Sequence, residues 1–360
     1  MADTLISRRK SEHLRIVSDS DVSHSETTLL EDVKLLHQAL PELDESELNL
    51  STDFFGKPLS LPFMIVSMTG GAEFAERLNH GLARVAEQTG IAFAVGSQRV
   101  MLRHPEVTSQ FAVRDEIPNG VLLGNIGAVQ LIEVPTETVA RLAEAIEADG
   151  ICVHLNAAQE LVQLEGNRRF RGLLDGIARL LDHMDGRVLV KETGAGLSPQ
   201  TLERLRVIGV PIVDVAGAGG TSWTKVESHR PTNGPLQRSG QVFADWGVPT
   251  AAGVHAARTI LGNDATIIAS GGMMDGLDAA RAIALGADIA GYARAILLQF
   301  LEHGHDGAVQ FVETLAHELK MAMLLTGSAD LAALKQAPRV IGSNLRQYLD
   351  GLTWTPGEAS

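Results

Sequence analysis

Cysteine is almost missing from this chain of 360 residues. The only one, Cys152, has no partner for an intrachain disulfide and leaves no thiolate cluster for a metal. A reducing cytoplasm is the natural setting for such a chain. Aromatic residues make up only 4%, so the core has to be built from aliphatic side chains and alanine. Positive charge is also short: 30 Lys and Arg face 44 Asp and Glu, a net charge of −14. That excludes a general nucleic-acid binder, because neutralising a phosphate backbone takes clustered cations. Small phosphorylated ligands stay open, since a few aimed cations and backbone N–H groups suffice for them. No run is apolar for long enough to span a bilayer. The start, MADTLISRRKSEHL, has basic residues without an apolar stretch behind them, so neither a membrane partner nor a secretory leader is expected.

What is present is a repeated texture. Hydrophobic residues make up 45%, with 36 glycines, enough for one large α/β core with extensions. Residues 1–60 are polar and irregular, with a helix expected near Leu29–Leu36. From Leu61 short apolar runs follow: 63–67, 91–95, 121–125, 150–154, 187–191, 210–216, 266–270 and 287–291. Most are β-branched and bounded by glycine or polar residues, as strands buried on both faces read. Between many of them lie amphipathic helical patterns, such as FAERLNHGLARVAEQTG, that end on a glycine. Eight strands with helical crossovers fit a closed (β/α)₈ TIM barrel or an open doubly wound sheet. The barrel is favoured, because unbroken alternation suits closure and no G-x-G-x-x-G follows the first strand. The division expected is an N-terminal extension over 1–60, a barrel over 61–350 and a tail over 351–360. The weakly periodic stretch from Thr221 to Ala251 reads as a lid or binding loop.

Strand ends in a barrel converge on one mouth. Here they read SMTGG (67–71), GSQR (96–99), GNIGA (124–128), HLNAAQE (154–160), VKETG (190–194), VAGAGGTSW (215–223), SGGMMDG (270–276) and GYARA (291–295). Ser270-Gly271-Gly272, followed by the helix pattern DGLDAARAIALGAD, allows backbone N–H groups and a helix N-terminus to approach a phosphate. Ordinary βα turns are the alternative. Lys191 emerges into the mouth and needs an anion: a ligand, Glu192 or another carboxylate. Glu160, a lone acid after the fourth strand, suits a magnesium ion that also takes phosphate oxygens. His154 reads either as a site residue or as a hydrogen-bonded barrel residue. Arg99 suits a planar anion or a structural ion pair. The basic run Arg8-Arg9-Lys10, taken alone, reads as a solvated surface.

Together these runs resemble type 2 isopentenyl-diphosphate isomerase, the flavin-dependent form of that enzyme. The resemblance runs from RRKSEH through SMTGG, GSQR, GNIGA, HLNAAQE, VKETG and GGTSW to SGG and GYARA. It implies that residues 1–60 fold over the active site. It implies substrate contacts at Arg9, Lys10, His13, Ser97, Gln98, Arg99 and Gln159, with His154 close by. It implies FMN contacts at Ser67, Met68, Thr69, Ser97, Asn125, Lys191 and Thr221. The flavin phosphate would sit at Gly271, Gly272 and Ala293, with Met273, Met274 and Arg294 among the cofactor-binding residues, and Mg²⁺ at Glu160. NADPH would reduce the flavin as a priming step, and the assembly would be a homotetramer.

Two positions depart from the family pattern. Met274 stands where the family often has an arginine, and Arg294 where it has an apolar residue, so Arg294 is expected to reach the flavin phosphate in compensation. The implied reaction, a step of isoprene biosynthesis, converts isopentenyl diphosphate to dimethylallyl diphosphate with no net redox change. The catalytic acid–base group expected is the N5 position of reduced FMN, with His154 and Gln159 beside it. The rival on the same barrel is an FMN-dependent 2-hydroxy-acid oxidase or dehydrogenase. That chemistry needs a His–Arg pair at the late strand ends, where this chain has Ser270-Gly271-Gly272 and Arg294 without a nearby His. A barrel that binds flavin or phosphate without catalysis is the other rival, and intact Arg9, Lys10, Gln159 and Glu160 speak against it.

Overall fold

The computed structural model describes residues 12–13, 15–68, 73–230 and 234–352. Three short strands come first: β1 (Val33–Leu35), β2 (Thr52–Phe54) and β3 (Lys57–Leu59). Eight parallel strands then close into a barrel. They are β4 (Phe63–Ile65), β5 (Ala92–Ala94), β6 (Leu122–Gly127), β7 (Gly150–His154), β8 (Val188–Lys191), β9 (Ile212–Asp214), β10 (Thr266–Ala269) and β11 (Ile289–Tyr292). Each lies on one of the eight apolar runs of the sequence. A last strand, β12 (Arg339–Ile341), stands outside the barrel.

The barrel sorts its side chains by the two-residue period of a strand. On β7, Ile151 and Val153 pack toward the helices while Cys152 faces the interior. On β8, Val188 and Val190 face the helices and Leu189 the interior; on β10, Ile267 faces out and Ile268 in. Carried toward the mouth, the same alternation turns Asn125, His154, Lys191, Asp214 and Ser270 inward. Their mutual contacts, described below, confirm it. The interior layer of Met64, Leu123, Leu189 and Ile268 is fully packed, so truncating Leu189 to alanine should cost about 2–5 kcal/mol.

The floor of the barrel is closed by the β2–β3 hairpin. Phe54 and Leu59 join the interior cluster. Lys57 donates to the Gly120 carbonyl at 3.0 Å and pairs with Asp149 at 2.8 Å, which pins the hairpin beside the start of β7. Among the described residues, the cavity that opens on the interior lies at the opposite end.

Two expectations change. Leu29–Leu36 is not a helix: a 3₁₀ turn at Leu30–Asp32 leads into β1, which pairs antiparallel with β12. Val33 faces Ile341, and the Asp32 carboxylate accepts the Leu345 N–H at 2.8 Å. That partner lies some 300 residues away, beyond any local pattern. The 221–251 stretch carries the helices Trp223–Ser228 and Pro235–Val242. Residues 15–28 cross the mouth as a strap, with Ser23 bridged to Thr221 and the His24 N–H donating to Gly220 at 2.8 Å. Among the described residues no helix is long and apolar enough to cross a membrane.

Candidate active site

The mouth holds a cavity of about 310 Å³. Its walls come from all eight strand ends together with the strap and the Trp223 helix: Ser67, Ser97, Asn125, His154, Lys191, Gly219, Gly271 and Ala293 all contribute, with His13 above them. Asn125 and His154 form a polar pair on its wall. His154 Nδ1 lies 3.0 Å from Asn125 Oδ1. An amide oxygen only accepts, so Nδ1 carries the proton in the neutral ring and Nε2 is its acceptor.

Lys191 is only 4% exposed. Its ammonium donates to the Glu192 carbonyl at 2.5 Å and lies 3.7 Å from Asp214 Oδ2. Asp214 Oδ1 accepts from Ser270 Oγ at 2.6 Å and from the Ala216 N–H at 3.1 Å, while Oδ2 has no hydrogen-bond partner among the described residues. Burial pushes the Asp214 carboxyl above the usual range, and Lys191 opposes that shift. The Glu192 carboxylate bonds to backbone and feels Lys191 only through charge. It accepts the Thr193, Ala195 and Gly196 N–H groups at 2.6, 2.5 and 3.2 Å, and burial pushes it up to about 7.

Glu160 and Gln159 start the short helix Ala157–Val162 after β7. Glu160 Oε2 accepts the Asn167 N–H at 2.5 Å and Oε1 accepts from Asn156 Nδ2 at 3.3 Å. No group of three or more His, Cys, Asp or Glu that could hold a metal exists among the described residues. One buried carboxylate facing a cavity still fits Mg²⁺, which takes one or two carboxylates and fills its shell with water and phosphate oxygens.

The residue that sequence reasoning missed is Glu227, on the Trp223–Ser228 helix. It is 3% exposed and gathers four partners. Gln163 Nε2 and Gln159 Nε2 donate to Oε1 at 2.6 and 3.1 Å, and Arg230 donates to Oε2 at 2.9 Å. His13 Nε2 lies 2.8 Å from Oε1, an ion pair when the imidazole is protonated. Burial opposes the charge on Glu227, but His13 and Arg230 outweigh it and lower the carboxyl to about 2. A faint signal was available: Trp223 and Glu227 are spaced i, i+4, which puts both on one helix face.

A cradle for a phosphate is built from backbone. Gly220 and Gly272 approach so closely that a Cβ on Gly220 would lie 2.3 Å from the Gly272 nitrogen. Gly271, at φ +97°, would set a Cβ 2.2 Å from the Gly217 carbonyl. Only glycine permits these turns to meet at the cavity wall. The helix after β10 is closed by its own acid, Asp275 accepting the Asp278 N–H at 2.7 Å. The helix opening at Arg294 has no side-chain cap and borders the cavity through Ala293, Arg294 and Ala295. The N-terminus offered to an anion is therefore the one after the eighth barrel strand. Ser67 Oγ, buried on the wall without a hydrogen-bond partner among the described residues, is a further group that a bound cofactor would satisfy. These features fit FMN.

Most of the remaining expected residues line the same cavity: Met68, Ser97, Arg99, Thr221, Met273 and Met274. Arg9, Lys10 and Thr69 lie outside the described residues. Gln98 is a correction. It is fully buried, donating to the Leu142 carbonyl at 2.7 Å and accepting the Asn125 N–H at 3.0 Å, so it fixes β6 and presents nothing to a substrate. Arg294 also departs from expectation: its guanidinium donates to the carbonyls of Val17 at 2.9 Å and Ser20 at 3.3 Å. The same side chain lines the cavity, so its hydrogen bonds tie the cavity wall to the strap.

Comparison with known proteins agrees with this geometry. Residues 131–340 match the FMN-dependent dehydrogenase family. An isopentenyl-diphosphate delta-isomerase of Methanopyrus kandleri is 41% identical over 343 residues, covering 95% of this chain and 94% of that protein. One from Synechococcus sp. is 44% identical over 337 residues, 93% and 96% of the two chains. A putative lactate oxidase of Pediococcus acidilactici superimposes with a TM-score of 0.68 at 15% identity, over 95% of this chain and 94% of that one. A mandelate oxidase structure with (S)-2-phenylpropionate gives 0.65 at 17%, over 95% and 98%. At such identity the oxidases share the fold alone. With eight barrel strands, a glycine cradle and near full-length identity above 40% to named isomerases, the chain belongs to the FMN-dependent isopentenyl-diphosphate delta-isomerase family.

Proposed function

We infer that this protein converts isopentenyl diphosphate to dimethylallyl diphosphate, with FMN as its cofactor. The observation that carries this reading is that one cavity is lined both by the glycine cradle and by the polar group of His154, Gln159 and Glu160. The reaction adds a proton to the terminal methylene of the substrate and removes one from C2, with positive charge developing on the tertiary carbon between. Reduced FMN, when bound, supplies a proton donor and acceptor at N5 and an electron-rich face toward that charge.

The chain's own residues bind, orient and screen. Lys191, inward on β8, is suited to the pyrimidine edge of the flavin ring, where a cation favours the anionic reduced form. Arg99 from the β5 end, with Arg9, Lys10 and His13 from the N-terminal segment, would hold the diphosphate. Glu160 would hold Mg²⁺ against the same phosphates, orienting them and screening their charge. Gln159 is oriented by Glu227, and His154 by Asn125. Trp223 and Met68 give the wall an apolar face beside these groups, and the closed floor leaves the mouth as the entrance.

NADPH as the reductant, a homotetramer and residues 1–60 as a cover for the site belong to the same reading, supported by the family resemblance. A cytoplasmic setting is supported by the single buried thiol of Cys152. The test is an anaerobic incubation of the protein with FMN, NADPH, Mg²⁺ and isopentenyl diphosphate, with the product identified. Dimethylallyl diphosphate is expected. Its absence at every flavin redox state, or turnover of lactate or glycolate by the oxidised form, overturns the reading.

A further inference from the structure

Arg294 stands where it has two conceivable tasks, since it opens the helix after β11 and also borders the cavity. Its hydrogen bonds go to one of them. Nε donates to the Val17 carbonyl and Nη2 to the Ser20 carbonyl, at 2.9 and 3.3 Å. Residues 15–19 are helical, and the Ser20 N–H closes that helix by donating to Ile16 at 3.0 Å. Val17 and Ser20 therefore present the carbonyls that the end of a helix leaves without intrahelical donors. A guanidinium there satisfies two acceptors and meets the negative end of the helix dipole. At the N-terminus of its own helix the same charge is unfavourably placed, so its stabilising partner has to be the strap.

The strap is fastened at further points. Lys225 donates to the Ser23 carbonyl at 2.9 Å, and His24 Nε2 lies 2.9 Å from the Gly194 carbonyl. Those points hold residues 23–24, after the helix. Arg294 holds the helix itself, and one turn and more upstream of its contacts His13 meets Glu227 in the cavity wall.

We propose that Arg294 is a positioning residue for substrate binding: it clamps the C-terminal end of the strap helix and so sets His13 in the cavity wall beside Glu227. The proposal rests on the isomerase reading for its kinetic part, but the clamp itself is testable without substrate.

The experiment compares the FMN-loaded protein with Arg294→Leu and Arg294→Lys in three measurements. These are FMN affinity by fluorescence quenching, the rate of trypsin cleavage after Arg15 by mass spectrometry, and the split between KM and kcat for isopentenyl diphosphate. In Arg294→Leu the clipping rate and KM should each rise about tenfold, the equivalent of losing ~1.4 kcal/mol, while FMN affinity stays within about twofold. Arg294→Lys should recover part of both effects. Weakened FMN binding with unchanged clipping assigns Arg294 to the flavin phosphate and overturns the proposal, as does a variant unchanged in clipping and KM. If the unaltered protein shows no isomerase activity while Arg294→Leu is still clipped faster, the clamp stands and the isomerase reading fails.

Discussion

His13 Nε2 lies 2.8 Å from Glu227 Oε1, so the N-terminal strap and the helix after the sixth barrel strand meet on one buried carboxylate. Because Gln159 and Gln163 donate to the same oxygen, that carboxylate links three separate segments of the site. A neutral residue there would remove the carboxylate that His13 and Arg230 share, leaving Arg230 to Glu12 and Glu165.

Glu227→Gln should therefore flatten the acid limb of stability. The carboxyl is held near about 2 in the folded protein against 4.5 when unperturbed. A depressed pKa stabilises the fold fully above the unfolded value, and that contribution is lost as pH falls from 4.5 toward about 2. Its size is about 3 kcal/mol by linkage, an upper figure for a group with several partners. Thermal melts at stepped pH should show a shallower fall in Tm for the variant across that window. An unaltered slope removes Glu227 from this role.

Gly220→Ala tests the cradle. The added methyl would meet the Gly272 nitrogen at 2.3 Å, and both partners are backbone that cannot swing aside. The turn has to open by an ångström or so, which should lower FMN affinity at least tenfold. Dissociation constants for FMN, read beside Tm, separate cofactor loss from unfolding. Wild-type affinity would mean the two turns yield more readily than their packing implies.

The strands were legible in the sequence because burial on both faces leaves an uninterrupted apolar run such as 121–123, and the mouth residues follow from counting twos past it. His154, Lys191 and the glycines could be placed that way. Three things could not. The 29–36 segment has helical spacing but is captured by Arg339–Ile341, a partner no window contains. Gln98 sits at a strand end like a ligand-binding residue, yet its amide is spent on Leu142 and Asn125. Glu227 lies in a polar, weakly periodic stretch, and only the fold brings His13 to it.

Glu160→Gln should raise the Mg²⁺ concentration needed for half-maximal turnover at least tenfold. Glutamine keeps the volume and can still accept the Asn167 N–H, so the local fold should survive. What it loses is the charge that a hard divalent cation requires. A magnesium titration of initial rates at saturating substrate reads the effect. Unchanged metal dependence would take Glu160 out of the metal site.

Lys191 and Asp214 form an inward pair at 3.7 Å, and their variants should move the bound flavin in opposite directions. Lys191→Ala removes the cation proposed to face the ring, so the anionic reduced form loses support and the midpoint potential should fall. Asp214→Asn keeps the Ser270 contact within reach and leaves Lys191 without its counter-charge. The field at the ring then grows more positive, and the potential should rise. Low dielectric around two side chains of 4% and 1% exposure makes both shifts larger than surface charges would produce. Spectroelectrochemical titration of the two holoproteins measures the sign directly. Shifts of the same sign would show that Asp214 acts on the flavin other than through Lys191.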